Sequence, residues 1–496
     1  MSFAVKTTLT EEEVRSGLRT VIKDGLTSQT MATLTGGIFL VAFALKLGAS
    51  NMTIGLLAAI PPLTQLLQIP SIYLVEKVRN RRAITTYAAG LSRIVLLLIA
   101  LIPFLFSIQA GLTFFIVAIL LHTSFASVAN CSWNSWMHDI LPQDRLGDFF
   151  SKRMRIATGL GIALSLVAAI YIDYWKKIFP DYELHGYSIL FFLGFLAGML
   201  GVYFISTIPE PRMVLADKKL KFFKLLLRPF KDTNFKNLIM FLGPWSFAVN
   251  LAAPFFTVYM LKRLELGMSF IIALSILSQI MYLAFIRIWG IFSDRFSNKS
   301  VLLVSGPLFM LCILAWTFTT FPEKYLLTIP LLVIIHIFMG ISTAGVNLAA
   351  GNIGLKLAPK GQATAYLAAN SFVHSLAAGT APVLGGKFVD FFSKCELSWT
   401  LKWTSPGREL AIPTLSLQQW DFFFFLAFLV GLYSIHRLAM VREIGEVKEK
   451  IVVHELVAEA RRGMRNLSTV GGIRYMTQFP FSVVKIVFKR RSKPHI

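Results

Sequence analysis

The sequence predicts an all-α polytopic membrane protein with about twelve transmembrane helices in two pseudo-symmetric six-helix bundles. Three observations carry that prediction. Of the 496 residues, 55% are hydrophobic and 15% charged, outside the balance of a water-soluble domain. Apolar runs of about 20 residues recur along nearly the whole chain, each long enough as a helix to cross a hydrocarbon layer of roughly 30 Å. The second half of the chain also repeats landmarks of the first at a near-constant spacing. The spans must be helical, because lipid offers no partner to a bare backbone.

In chain order the spans are expected near 26–48, 54–75, 83–106, 110–138, 154–175, 186–208, 238–262, 267–292, 299–321, 325–350, 361–392 and 420–440. Glu11-Glu12-Glu13 precede the first. That is not the basic-then-apolar pattern of a cleaved secretory signal, so this span is expected to stay in the mature chain. Pro61-Pro62 in the second and Gly385-Gly386 in the eleventh are compatible with helices whose neighbours re-satisfy freed backbone groups. The expected organisation is a cytoplasmic segment 1–25, a bundle 26–208, a basic linker 209–237, a second bundle 238–440 and a basic, partly amphipathic tail 441–496. Linker and tail mix Phe, Val and Ile with Lys and Arg, which suits an anionic lipid surface.

A net charge of +23 raises the question of nucleic acid, and its distribution answers it. Lys77, Arg79, Arg81, Arg82, Arg145, Lys152, Arg153, Arg155, Lys218, Lys219, Lys221, Lys224, Arg228, Arg295 and Lys299 fall on one side of the spans. The other side carries chiefly Lys176, Lys177, Lys262, Arg263, Lys324, Lys394, Lys402 and Arg408. This asymmetry is the positive-inside signature, so the expectation is a multi-pass protein of the cell membrane with both termini cytoplasmic and no nucleic-acid partner. Cys131 and Cys312 lie within spans and Cys395 in a loop, which implies no disulfide framework.

The halves superpose at an offset of about 216 to 218 residues. Leu45-Lys46 and Met52-Thr53 match Leu261-Lys262 and Met268-Ser269, Asn130 and Pro142 match Asn347 and Pro359, and Asp173 matches Asp390. The stretch WGIFSDRFSNK, residues 289–299, then has a counterpart in YLVEKVRNRR, where Glu76 corresponds to Asp294. At these residues the chain resembles the major facilitator superfamily, whose signature GxxxDRxGRR joins helices 2 and 3 and recurs between 8 and 9. Gly290, Asp294, Arg295 and Lys299 fit the second copy, with Ser297 at a glycine position. The first copy is degenerate: Ile72 replaces glycine, Glu76 and Lys77 replace Asp-Arg, and Arg79 sits at the second glycine.

The resemblance implies a cytoplasmic gate. Each acidic residue would meet the amino-terminal end of a helix from the other bundle, Asp294 near Arg153 and Arg155, and Glu76 near Gln362. Such contacts would exist only while the cytoplasmic side is shut. WMHDILPQDRLGDFFSKR resembles the arginine-bearing loop between helices 4 and 5, so Asp139, Arg145 and Arg153 are expected in the same charge cluster or anchored at lipid headgroups. LAAGTAPVLGG in the eleventh span places Gly379, Pro382, Gly385 and Gly386 where close helix packing is the natural reading.

Polar groups deep in a bilayer are functional suspects. The resemblance implies a cavity lined by helices 1, 4, 7 and 10, with parts of 2, 5, 8 and 11. The substrate-binding candidates are Thr35, Gln65, Arg93, His122, Asn250, Gln279, His336 and His374, with Thr33, Gln68 and Asn370 read as interhelical packing groups. No Asp or Glu is expected near mid-depth in any span, so any proton coupling would fall to histidine or to carboxylates at span ends. No nucleotide loop, metal cluster or catalytic constellation is apparent, and neither a cofactor nor an enzymatic activity is expected. The expected function is a secondary transporter moving a small organic solute or amphiphile by alternating access, functional as a monomer among membrane lipids. A lipid flippase or a non-transporting assembly factor on the same fold is the alternative.

Overall fold

The structure, a computed structural model, describes residues 5–6, 9–140, 146–213, 228–320, 324–358, 363–405, 408–443 and 452. Among these, eleven helices are long and apolar enough to cross a membrane. We number the spans α1 (Glu11–Lys46), α2 (Asn51–Val78), α3 (Arg81–Ala100), α4 (Ile108–Ile140), α5 (Leu146–Ile178), α6 (Glu183–Thr207), α7 (Thr233–Lys262), α8 (Met268–Arg295), α9 (Asn298–Ala315), α10 (Thr328–Leu357) and α12 (Trp420–Leu438). The equally long Ala363–Phe392 is α11. It is interrupted by His, Asn, Ser and Thr and falls short of the others in apolarity.

Helix α1 begins 15 residues before its expected start. Thr10 caps it, its Oγ1 accepting from the Glu13 amide at 3.3 Å while the Glu13 carboxylate accepts from the Thr10 amide at 3.1 Å. This reciprocal box satisfies two otherwise orphaned amides. The helix breaks at Gly36-Gly37, where Gly37 takes φ 53°, a left-handed conformation that only glycine adopts without strain. In α2, Pro61-Pro62 are followed by a 3-10 turn at Gln65–Leu67. The loss of two amide donors explains the change of pitch.

The repeat is visible as repeated packing. Helix α1 packs on α5 and α6, α3 on α4 and α6, and α2 on α4; in the second half α7 packs on α11 and α12, α9 on α10 and α12, and α8 on α10. A large apolar core threads both bundles through residues such as Phe43, Phe115, Phe191, Phe255, Trp316 and Phe423. A smaller one, with Val21, Trp136, Met137 and Ile208, closes the first bundle at the end that carries the described terminal residues; we call this the terminal end and its opposite the far end. At the far end α11 and α12 are joined by an antiparallel hairpin, β1 (Glu396–Ser405) and β2 (Arg408–Gln418).

Candidate functional site

The interface between the bundles is concentrated at the far end. Among the described residues, helices α2 and α11 form the most extensive helix pair, through the far-end segment of α2. Small residues permit this approach: a Cβ on Gly55 would overlap the Pro382 carbonyl, one on Gly386 would meet the backbone of Asn51 and Met52, and one on Gly379 would meet Leu63. The glycine-rich stretch of α11 is therefore the seam between the bundles. The far half of α1 also touches α7, and α8 touches α5. The terminal-end segments of α1 and α2 make no substantial contact with the other bundle among the described residues. Among the described residues, the contacts of α1 and α2 with the other bundle are thus concentrated in their far-end segments.

Two carboxylates latch this seal in the same way. Asp173, in the last turns of α5, accepts from the amides of Met268 and Ser269 at 3.0 and 2.8 Å and from the Ser269 hydroxyl at 2.5 Å. Asp390, near the end of α11, accepts from the Met52 amide at 3.1 Å and from Asn51 Nδ2 at 2.8 Å. Each bridges one bundle to the first turn of a helix in the other, where unpaired amides and the helix dipole favour an anion. Beside the first latch lies a cleft of about 530 Å³, lined from both bundles by residues including Lys46, Asp173, Glu183, Lys262 and Glu265.

At the terminal end the signature residues behave differently. Glu76, Lys77 and Asp294 are exposed, and no hydrogen bond or ion pair engages their side chains among the described residues. Arg295 lies over the Phe296 ring at 5.1 Å, and a Cβ on Gly290 would reach only Leu348 of α10. Arg153 turns inward: its Nε donates to the Val21 carbonyl at 3.3 Å, Nη2 lies 3.5 Å from Asp24, and its guanidinium covers the Trp133 ring. Arg155 is exposed. Arg145 and Gln362 lie outside the described residues. Arg79 takes φ 56° as the cap of α2, the left-handed turn that explains why a signature of this form prefers glycine there.

The basic half of each signature copy is held by a carboxylate that sequence reasoning missed. Glu210, just beyond α6, accepts from the amides of Arg81 and Arg82 at 2.7 and 3.0 Å, and from Arg81 Nε at 3.4 Å. Arg81 is fully buried and also pairs with Asp139 at 2.5 Å. Glu443, just beyond α12, likewise accepts from the amides of Asn298 and Lys299 at 3.3 and 2.7 Å and pairs with Lys356 at 3.0 Å. Asp139 and Lys356 are 217 residues apart, so the third charge of the cluster changes sign between copies.

Of the deep polar candidates, His374 joins α7 at Ser246, one helical turn from Asn250. Ser246 Oγ lies 2.6 Å from His374 Nδ1, and Asn250 Nδ2 donates to the Ser246 carbonyl at 2.8 Å. The first bundle repeats the pattern: Gln29 donates to Thr33 at 3.2 Å, and both would be met by a Cβ on Gly161 of α5. Gln29 and Thr33 precede Ser246 and Asn250 by 217 residues, so each bundle presents one polar patch between its first and fifth helices. Thr35 is not part of it; it is buried, bonds the Met31 carbonyl at 2.8 Å and faces Gly194 of α6. Residues 33 and 35 lie on opposite sides of a helix.

The remaining candidates stand apart from these patches. Gln65 is exposed at the 3-10 turn of α2 and bonds Gln68; Gln279 is exposed on α8. His122 packs on α3, its Nδ1 2.8 Å from the Ser92 carbonyl. His336 is buried with its Nδ1 2.8 Å from the Leu332 carbonyl and its ring against Trp316. His122 thus faces α3, and the His336 ring faces the 3-10 turn Trp316–Phe318 that follows α9. Arg93 runs between α1 and α6, where Gly198 makes room for its stem beside Met31, and its Nε is buried without a hydrogen bond. The sequence offers no Asp or Glu near mid-depth of an expected span, but the structure buries one acid just ahead of the first. With α1 starting at Glu11, Asp24 is a buried intraspan acid that bonds Ser28 at 3.2 Å, faces Arg153 and feels the charge of Arg93. Among the described residues no cluster of His, Cys, Asp or Glu could hold a metal ion.

The profile of the Major Facilitator Superfamily matches residues 25–382 and 240–481. Among solved structures, a point mutant of the nucleoside transporter NupG is similar with a TM-score of 0.64 at 14% identity, over 86% of this chain and 100% of that one. A POT family transporter in complex with a thioalcohol-conjugated peptide gives 0.60 at 12% identity, over 86% and 96%. A bacterial homologue of the human lysosomal transporter Spinster, inward-facing and unoccupied, gives 0.52 at 14% identity, over 87% and 95%. At these identities the likeness concerns the fold. No curated protein sequence matches the chain.

Proposed function

This chain belongs to the Major Facilitator Superfamily, and on that premise we propose that it is a secondary transporter moving a small organic solute or amphiphile by alternating access. The observation that carries the reading is the asymmetry of the interface: a far end sealed by the α2–α11 seam and two carboxylate latches, opposite a terminal end where α1 and α2 make no substantial contact with the other bundle among the described residues. Alternating access needs two such states exchanging around one site. The far-end latches stabilise the state described here. Glu76 and Asp294, whose side chains are unengaged in it, would stabilise the reverse state by closing on the opposite bundle, with Lys77, Arg145, Arg153, Gly290, Arg295 and Lys299 shaping that rim. The charge asymmetry supports a cytoplasmic terminal end, and hence an inward-open state in the cell membrane.

The two polar patches are the binding surface this reading favours: Gln29 and Thr33 on one side of a cleft between the bundles, Ser246, Asn250 and His374 on the other. Neutral donors and acceptors of this kind fix the orientation of an uncharged or singly anionic solute within an otherwise apolar cleft. The test is reconstitution into liposomes with thermal-shift screening of nucleosides, short peptides and amphiphiles, with and without a pH gradient. A ligand that stabilises the protein, is taken up, and loses both effects in Asn250→Ala and His374→Ala is expected. Uptake unaffected in both variants would remove the patch from the site. Absence of flux for every stabilising ligand would sink the transport reading itself.

A further inference from the structure

The β1–β2 hairpin has no role in the cleft. It leaves α11 at Phe392 and returns to α12 at Trp420, and its root is fixed. Gln419 N donates to the Cys395 carbonyl at 3.2 Å, Gln418 N to Asp421 at 2.9 Å, and Arg263 donates to Gln418 Oε1 at 3.2 Å. Beyond that root, β1 stands clear of the bundles. Alternate residues of β1 are Leu397, Trp399, Leu401 and Trp403, exposed by 52, 69, 58 and 68%, with Ser398, Thr400, Lys402 and Thr404 between them. Period-two alternation puts the first four on one face.

The partner strand keeps the same phase by means of a bulge. The register sets Leu417 opposite Leu397, Leu415 opposite Trp399, Ile412 opposite Leu401 and Leu410 opposite Trp403. Leu415 and Leu417 are odd-numbered while Ile412 and Leu410 are even-numbered. The irregularity at Trp399/Thr400 inserts Thr414 and reverses the alternation at the point needed to keep these positions in register with the apolar row of β1. The leucine, isoleucine and tryptophan positions of both strands therefore share one side of a ribbon about 33 Å long, at roughly 3.3 Å per residue. An isolated two-stranded ribbon is marginal in water, and nothing among the described residues covers the β1 row.

We propose that the hairpin is a membrane-surface anchor that lies on the far-side lipid interface, with its Leu/Trp face in the headgroup–acyl boundary. Three observations select lipid over other occupants. Both ends of the ribbon are tethered within a few residues of span ends, so the bilayer surface is always within reach. The end of α11 that leads into the hairpin also carries exposed aromatics, Phe391 at 70% and Phe388 at 38%. Its composition is tryptophan and leucine opposite lysine, and Lys394 at the root is exposed, which suits an interface where rings sit at headgroup depth and ammonium groups meet phosphate.

The test uses the full chain with native cysteines replaced, in vesicles of phosphatidylethanolamine and phosphatidylglycerol, with nitroxides at Leu401→Cys or Lys402→Cys. The label at 401 is expected to be several-fold more accessible to oxygen than to a water-soluble nickel chelate, and the label at 402 the reverse. Equal exposure of both labels to the chelate would overturn the proposal. So would spin–spin broadening that fades on dilution with unlabelled protein, because a second copy would then cover the face. A conservative control keeps the native hairpin: Trp399→Phe with Trp403→Phe should remove much of the tryptophan emission quenched by phospholipids brominated high in the acyl chain. Unchanged quenching counts against docking.

Discussion

The residues that hold this protein together at its terminal end are Glu210 and Glu443, each a buried carboxylate that caps a helix from outside its own span. Removing one member of a buried charge cluster strands the others and typically costs about 3–5 kcal/mol. Glu210→Ala is expected to lower the thermal unfolding midpoint markedly, because it leaves the fully buried Arg81 with the Asp139 carboxylate and neutral partners. Glu443→Ala should do the same through Lys356 and the first turn of α9. Asp24→Ala belongs to the same class, freeing Arg153 and Arg93. Thermal unfolding of purified protein in detergent checks all three; midpoints indistinguishable from the parent would contradict the clusters. Sequence alone missed these residues for identifiable reasons. Asp24 lies outside the apolar run and is pulled into the span only by an earlier helix start. Thr35 and Thr33 are equivalent in composition and separable only once the helix phase is known. The histidines are polar in an apolar run, yet His122 and His336 each satisfy a ring nitrogen on a carbonyl, of α3 for one and of its own helix for the other.

Among the elements, α2 and α11 depend on the absence of side chains where they cross. Gly55→Leu would drive atoms into the Pro382 carbonyl, and backbone cannot yield as a flexible side chain can. The expected result is a wider far-end separation, read by electron–electron resonance between labels at Gln109→Cys and Lys324→Cys. An unaltered distance distribution would mean that the seam does not set the spacing. Glycines and Pro382 were legible as a packing feature of the eleventh span, but which helix they approach was not, because a close contact between the halves is non-local in sequence. The start of α1 was legible in principle: Thr10 and Glu13 are spaced as a capping box, a signal that the apolar run beginning near residue 26 overrides. The hairpin lies in what reads as a connecting loop, because its alternation is confined to one strand and the bulge hides it in the other.

At the scale of the molecule, the repeat and the helix count were plain from composition and spacing, because both follow from the bilayer's demand for apolar helices of fixed length. The conformation was not, since the alternating access proposed above would have one sequence serve two states. On the proposed alternating-access reading, the two sets of carboxylates would act on that equilibrium with opposite sign. Asp173→Asn with Asp390→Asn removes contacts made only in the far-sealed state, so the Gln109 to Lys324 distance should lengthen. Asp294→Asn removes a contact expected only in the reverse state, so it should leave that distance short and raise labelling within the cleft from the terminal side. Each shift is of the order of 1–3 kcal/mol, the usual size of a coupling between two states. Identical distance distributions in all variants would show that these residues do not bias the equilibrium.

The inequality of the two inter-bundle contacts has a mechanical consequence. Glycine-on-carbonyl packing joins α2 to α11 over a long stretch, whereas α5 and α8 meet less extensively and are latched through Asp173. A body fastened firmly along one edge and lightly along the other swings like a door about the fastened edge. The far-end mouth would therefore gape on the α5–α8 flank, giving a lopsided portal that faces the acyl chains as well as the water.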